Sequence, residues 1–164
     1  MKKETMNHSH YLTQGAVIAA LYVILTLIAN AAGLANMVIQ VRISEALTIL
    51  PVFSPAAIPG LFVGCLISNL LTGALPLDIL FGSLATLAGA IGTYRLREKR
   101  KTAWLPPVIA NTIVVPLLLS YVYGIPGSIG YFALTVGIGE VISCGILGVV
   151  LMRALERYAK AIEW

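Results

Sequence analysis

Three observations predict an all-α integral membrane protein with six transmembrane helices. Hydrophobic residues make up 59% of the 164 residues and charged ones only 11%, with a mean hydropathy of +0.91, so there is too little polar surface to cover a soluble globule of this size. Apolar runs of about 20 residues, the length that crosses a hydrocarbon core of roughly 30 Å at ~1.5 Å per residue, recur along the chain. Ten of the eleven Lys and Arg residues fall in three clusters between those runs. Long apolar runs without alternation argue against a β-barrel, the other architecture that satisfies every backbone polar group in lipid.

The first span is expected at 11–32. The amino end, MKKETMNHSHYLTQ, is basic, but the long apolar span that follows has no small-residue cleavage site, so it is expected to be retained. Next comes VRISEALTILPVFSPAAIPGLFVGCLIS, Val41 to Ser68, around which the rest is arranged. Arg42 and Glu45 head it, Pro51, Pro55 and Pro59 interrupt it, and Gly60, Gly64 and Ser68 follow at four-residue spacing. Prolines permit a tight reversal between two helices, and small residues permit close packing of one of them. Charge supports two spans here rather than one. The basic clusters are Lys2 and Lys3; Arg95, Arg97, Lys99, Arg100 and Lys101; and Arg153, Arg157 and Lys160. Two spans put all three clusters on the cytoplasmic face, as the positive-inside rule asks, whereas one would strand the middle cluster outside. The short second span is expected at 43–53 and the third at 56–72. The remaining spans are expected at 77–94, 103–123 and 129–152, giving a single six-span membrane domain over 1–164 with both termini cytoplasmic. RALERYAKAIEW closes the chain as an amphipathic cytoplasmic tail.

Polar residues at membrane depth cost on the order of 2.5–3.5 kcal/mol at a span centre, so each needs a reason. Glu140 falls mid-span and is read either as a ligand carboxylate or as a hydrogen-bonded glutamate joining helices. Glu45 is a second candidate acid, with an ion pair to Arg42 three residues before it as the alternative. Asp78 opens the fourth span, where an acid also favours a helix amino end. Asn69 and Asn111 belong to the outer halves of their spans, and the five are expected to converge on an outward-facing cavity. Tyr121, Tyr123 and Tyr131 lie near the same face; one of them, Tyr121 for choice, could stack on a planar ligand, with an interfacial aromatic belt as the alternative. Trp104 beside the basic loop is expected to be an inner-side anchor. Ala16 and Ala20, with Gly15 and Ala19 beside them, make a smooth helix face suited to packing within the chain or to docking a separate subunit. Gly82, Thr86 and Ala90 repeat that pattern.

Cys65 and Cys144 are expected to be packing thiols. No metal site is assigned, although His8 and His10 lie close together before the first span. The chain has no GxxxxGK(S/T) loop, HExxH or GxSxG sequence, so it carries no standard apparatus for using ATP or for common hydrolysis. The net charge of +4 is read as topology, not as a nucleic-acid surface.

In length, six-span layout, alanine-rich first helix and above all the block VRISEALTILPVFSPAAIPGLFVGCLISNLL, the chain resembles the QueT family, among the substrate-binding S components of energy-coupling factor (ECF) transporters. The resemblance implies an S-component bundle in a prokaryotic cell membrane that captures a queuosine precursor from outside. The cargo would be 7-cyano- or 7-aminomethyl-7-deazaguanine, or queuine. Implied partners are a shared transmembrane T subunit and two cytoplasmic ATPases; ATP and Mg belong to those subunits, no cofactor to this chain, and the S component topples to release its cargo. The family's alanine motif for the T subunit maps onto Ala16 and Ala20. Competing readings are an S component for another vitamin or purine-like compound, a small intramembrane enzyme using Glu140 with Asp78, and a structural membrane subunit.

Overall fold

The computed structural model describes residues 8–34 and 40–158, and those residues form helices and the turns between them. Lys2, Lys3, Lys160 and the end of the tail lie outside the described residues. Helix α1, His8–Ala31, begins earlier than expected because His8, Ser9 and His10 join its first turn. A 310 helix, Ile43–Val52, follows, then α2, Ala57–Leu71, and α3, Pro76–Arg95, with proline in its first turn where no backbone N–H partner is needed. Helix α4 spans Leu105–Val122 and α5 spans Ile129–Tyr158, so RALERY continues the last helix past residue 152. Of these, α1, α3, α4 and α5 are long and apolar enough to cross a membrane, and the 310 helix and α2 are shorter. Leu12, Val17, Ile24 and Ile28 on α1, Ile109 and Ile113 on α4, and Leu134, Ile146 and Val150 on α5 all face outward, an arrangement that suits lipid as solvent.

The 310 helix is the hub. Every residue from Ser44 to Val52 is buried, and the helix packs against α1, α2, α3 and α5. A helix apolar and buried all round belongs inside a bundle. Its tight form has local causes. Pro51 lacks an N–H for the α-helical ladder, and the Thr48 hydroxyl donates to the Glu45 carbonyl three residues back, at 2.6 Å. At ~2 Å per residue, ten residues reach ~20 Å, further than the same stretch would as an α-helix.

Small residues set the distance between α1 and α2. A Cβ on Gly60 would stand 2.6 Å from the Gly15 carbonyl oxygen, and one on Gly64 would stand 2.8 Å from Tyr22 Cβ. Gly15 and Ala19 therefore supply the contact within the chain, while Ala16 and Ala20 remain exposed. The core continues through Ile18, Tyr22, Leu47, Leu50, Leu61 and Ala90. Of the small residues on α3, Thr86 meets Cys65 of α2, its Oγ1 lying 3.4 Å from Sγ, and Gly82, Thr86 and Ala90 are all buried.

One end of the bundle gathers the start of α1, the turn at Ser54 and Pro55, the basic loop and the end of α5. Ser54 Oγ donates to Gln14 Oε1 at 2.8 Å, Arg100 pairs with Glu156 and stacks on Phe53, and Trp104 Nε1 donates to the Lys101 carbonyl at 2.9 Å. The turns after α2 and α4 lie at the other end, where Leu75 N–H donates to Tyr123 Oη at 3.3 Å.

Candidate functional site

The buried polar groups meet where the 310 helix packs against α1 and α5, with Asn111 of α4 beside them. Gln40 passes so close to Gly139 that a Cβ there would collide with its carbonyl, and the Arg42 backbone N–H then donates to Ser143 Oγ at 3.1 Å. This register carries Glu45 inward at the head of the 310 helix. In α5, the ladder widens into a π-helical stretch, Val141–Leu147, straight after Glu140, and Glu140, Ser143 and Cys144 all turn inward. Such widened turns recur at functional sites. Asn111 comes from α4, and Tyr22 from α1.

Glu45, Asn111 and Glu140 are 0%, 2% and 4% exposed. The Tyr22 hydroxyl donates to Glu45 Oε1, and the Cys144 thiol donates to Glu140 Oε2 at 3.3 Å. Asn111 lies within hydrogen-bonding range of both carboxylates, but its Nδ2 and Glu45 Oε2 miss hydrogen-bond geometry, as does Thr112 Oγ1 next to it. A buried donor or acceptor left without a partner costs about 1–3 kcal/mol inside a protein. The positive charge that bears on both acids is Arg42. No ion pair closes between Arg42 and Glu45; among the described residues the one ion pair is Arg100 with Glu156. Glu45, Glu140 and Cys144 bring ligand atoms within 4.8 Å of one another, a donor set that a divalent metal could use, although Tyr22 and Cys144 already donate to its carboxylates.

The other candidates lie nearer the end that holds the α2–α3 turn. Asp78 Oδ1 and Asn69 Nδ2 both approach the site of a Cβ on Gly82, at 2.9 and 3.4 Å. Asp78 Oδ2 accepts from the Tyr123 hydroxyl at 2.7 Å. Partial burial, and then this bond to Asp78, push the Tyr123 phenol above its usual range. Asn69 also borders a cavity of about 80 Å³ lined by Tyr22, Thr26, Arg42, Ser44 and Ser68; Glu45, Asn111 and Glu140 do not line it. Tyr121 is 76% exposed and stands apart from the cluster.

Tyr22 and Cys144 were not among the site residues expected from sequence. A tyrosine in mid-span carries a hydroxyl that needs a partner, so Tyr22 had a readable signal. Cys144, read as a packing thiol, is buried but donates into the acid cluster, and nothing in a lone cysteine reveals that.

Four spanning helices around a buried, incompletely paired polar cluster define a multi-pass α-helical membrane protein. The profile of the family described as QueT transporter matches residues 12–157, and the chain belongs to that family, one of transporters rather than enzymes. The queuosine precursor transporter QueT of Lactococcus lactis subsp. cremoris (strain MG1363) is 39% identical over 72 residues, 44% of this chain and 42% of the relative, so the match spans less than half of that relative. No solved structure matches the chain.

Proposed function

We propose that the chain is the substrate-capture S component of an ECF-type importer and binds a 7-deazaguanine queuosine precursor from outside the cell. The observation that carries this reading is the pair of buried orphans, Glu45 Oε2 and Asn111 Nδ2. A deazaguanine edge offers ring N–H and exocyclic amine donors to a carboxylate and a ring carbonyl to an amide N–H, which is the complement of that pair. Family membership and the name of the Lactococcus relative support the cargo class. Asn69 and Asp78 would line the path inward. Tyr121, at the surface, is given no direct contact.

The chain would act as a single membrane domain with both termini cytoplasmic. The meeting of the basic loop with the end of α5, through Arg100 and Glu156, supports putting those segments on one side. Exposed Ala16 and Ala20 would dock the T subunit, and two ATPases would supply ATP- and Mg-dependent power for toppling. An 80 Å³ cavity is well short of the about 300 Å³ at which small-molecule sites begin, so capture requires helix ends and side chains around Tyr22, Arg42 and Asn69 to move apart.

Calorimetric titration of the detergent-purified chain, without ATP, tests the proposal. The ligands are 7-cyano- and 7-aminomethyl-7-deazaguanine and queuine, with guanine and riboflavin as controls. Saturable binding of a deazaguanine is expected. Folded protein that binds none of the three refutes that cargo, and binding of riboflavin alone points to an S component for a different vitamin.

A further inference from the structure

The end of the bundle that holds the basic loop is strongly positive. Among the described residues it carries seven Lys and Arg residues, five between Arg95 and Lys101 with Arg153 and Arg157 on α5, against two acids, Glu98 and Glu156. A groove of about 530 Å³ runs between α4 and α5 toward this end. Its walls include Ile109 and Ile113 on one side and Leu134, Gly137, Ile138 and Ile142 on the other, and Thr112 is the one polar residue lining it. Along α5, Leu134, Ile138, Ile142, Ile146 and Val150 follow at four-residue spacing, and Arg153 and Arg157 come three and seven residues later. Side chains three and four apart share a helix face. Leu134, Ile146, Val150 and both arginines are exposed, so the outward apolar stripe of α5 runs straight into two cations. At the foot of α4, the Trp104 ring packs against Gly145, 3.3 Å from where a Cβ would stand, and its Nε1 donates to the Lys101 carbonyl. Ala103 packs with Met152, the neighbour of Arg153, so Lys101 and Arg153 stand at the same end of the groove.

We propose that this groove and its basic rim bind an anionic phospholipid: one acyl chain lies along α4 and α5, and Arg153 and Lys101 hold the headgroup phosphate. The inference goes beyond the transport reading and needs only the membrane setting. Apolar surface inside a bilayer has no water to escape, so the groove supplies fit rather than strong attraction. Discrimination comes from charge. Arginine presents a planar fork to phosphate oxygens, and each basic side chain near an anionic membrane surface contributes about fivefold in affinity. Arg100 is already paired with Glu156 and Arg97 stacks on Tyr94, whereas Lys101 and Arg153 are exposed and form no ion pair among the described residues. A zwitterionic headgroup would bring its own ammonium into a region short of acids, so a lipid of net negative charge is preferred.

The test is native mass spectrometry of the intact, detergent-purified chain titrated with phosphatidylglycerol or with phosphatidylcholine carrying the same acyl chains. Phosphatidylglycerol is expected to bind at least about tenfold more tightly, as two cations on one headgroup require. In the double variant Lys101→Gln with Arg153→Gln, that ratio should fall to near one. Arg95→Gln with Lys99→Gln, which removes the same charge from the α3 side of the loop, should leave most of it. Ala133→Leu, which adds bulk to the groove wall, should weaken retention of phosphatidylglycerol. Equal binding of the two lipids overturns the inference, as does a preference that survives the Lys101 and Arg153 changes or falls as far with the Arg95 and Lys99 pair. Unchanged binding in Ala133→Leu overturns the placing of the acyl chain. Every altered side chain is at least partly exposed; should a variant nonetheless not fold, the comparison of the two lipids on the unaltered chain decides the matter.

Discussion

Neighbouring positions on α1 and α2 should respond in opposite ways to added bulk, because the small-residue surface of α1 is split between two uses. In Gly60→Ala, the new Cβ would lie 2.6 Å from the Gly15 carbonyl oxygen and 3.2 Å from both Gly15 Cα and Ile18 Cβ, where ordinary contact begins at 3.4 Å. The obstacle is backbone, which has no alternative rotamer. The helices must separate by roughly 0.8 Å, and forced expansion of a packed contact costs about 1–3 kcal/mol. At the slope of about 2–4 °C per kcal/mol for soluble domains of this size, Tm falls by several degrees. Tyr22 packs against Gly64 at this interface and donates to Glu45 of the 310 helix, so shifting α1 also disturbs that bond, and ligand affinity should fall as well. Ala16→Leu, on the exposed side, should change stability by no more than about 0.5 kcal/mol, leave ligand capture intact and weaken assembly with the T subunit. Thermal unfolding of both variants in detergent, beside ligand titration and co-purification with the T subunit, measures all three effects. Gly60→Ala melting with the unaltered chain, or Ala16→Leu losing as much stability, would refute this division of the helix.

Tyr22→Phe removes the donor to Glu45 Oε1 and leaves a second unpaired oxygen on a buried acid, so stability should fall by about 1–3 kcal/mol in thermal unfolding; an unchanged Tm counts against the contact. Glu140→Ala should weaken deazaguanine binding at least about tenfold while membrane expression holds, and unchanged affinity would remove Glu140 from the site. Tyr123→Phe breaks the exposed ties of that hydroxyl to Asp78 Oδ2 and to the Leu75 N–H and should cost about 1 kcal/mol with affinity retained; a large loss of affinity would place those ties in the binding path. Chelator treatment should not alter the titration, since protein donors already engage the two carboxylates, and loss of binding on chelation would make the cluster a metal site.

The sequence by itself determined the membrane class, because solvent preference is a sum over residues and 59% hydrophobic composition does not depend on how they are arranged. It also marked the helices, since the length of apolar run needed to cross lipid is set by the rise per residue. Glu45, Asn111 and Glu140 were readable as candidates for a similar local reason: each is a polar group in an apolar run, and each requires a partner wherever it lies. What those partners are depends on register between distant segments, and tertiary structure alone decided that. The 310 form of Ile43–Val52 and the π-helical turn after Glu140 aim the two acids at one point. Nothing in the spacing of residues 45, 111 and 140 specifies it. The same holds for α1, where Gly15 and Ala19 are indistinguishable in sequence from Ala16 and Ala20. A rotation of one residue, about 100° around the helix, put one pair against α2 and left the other free.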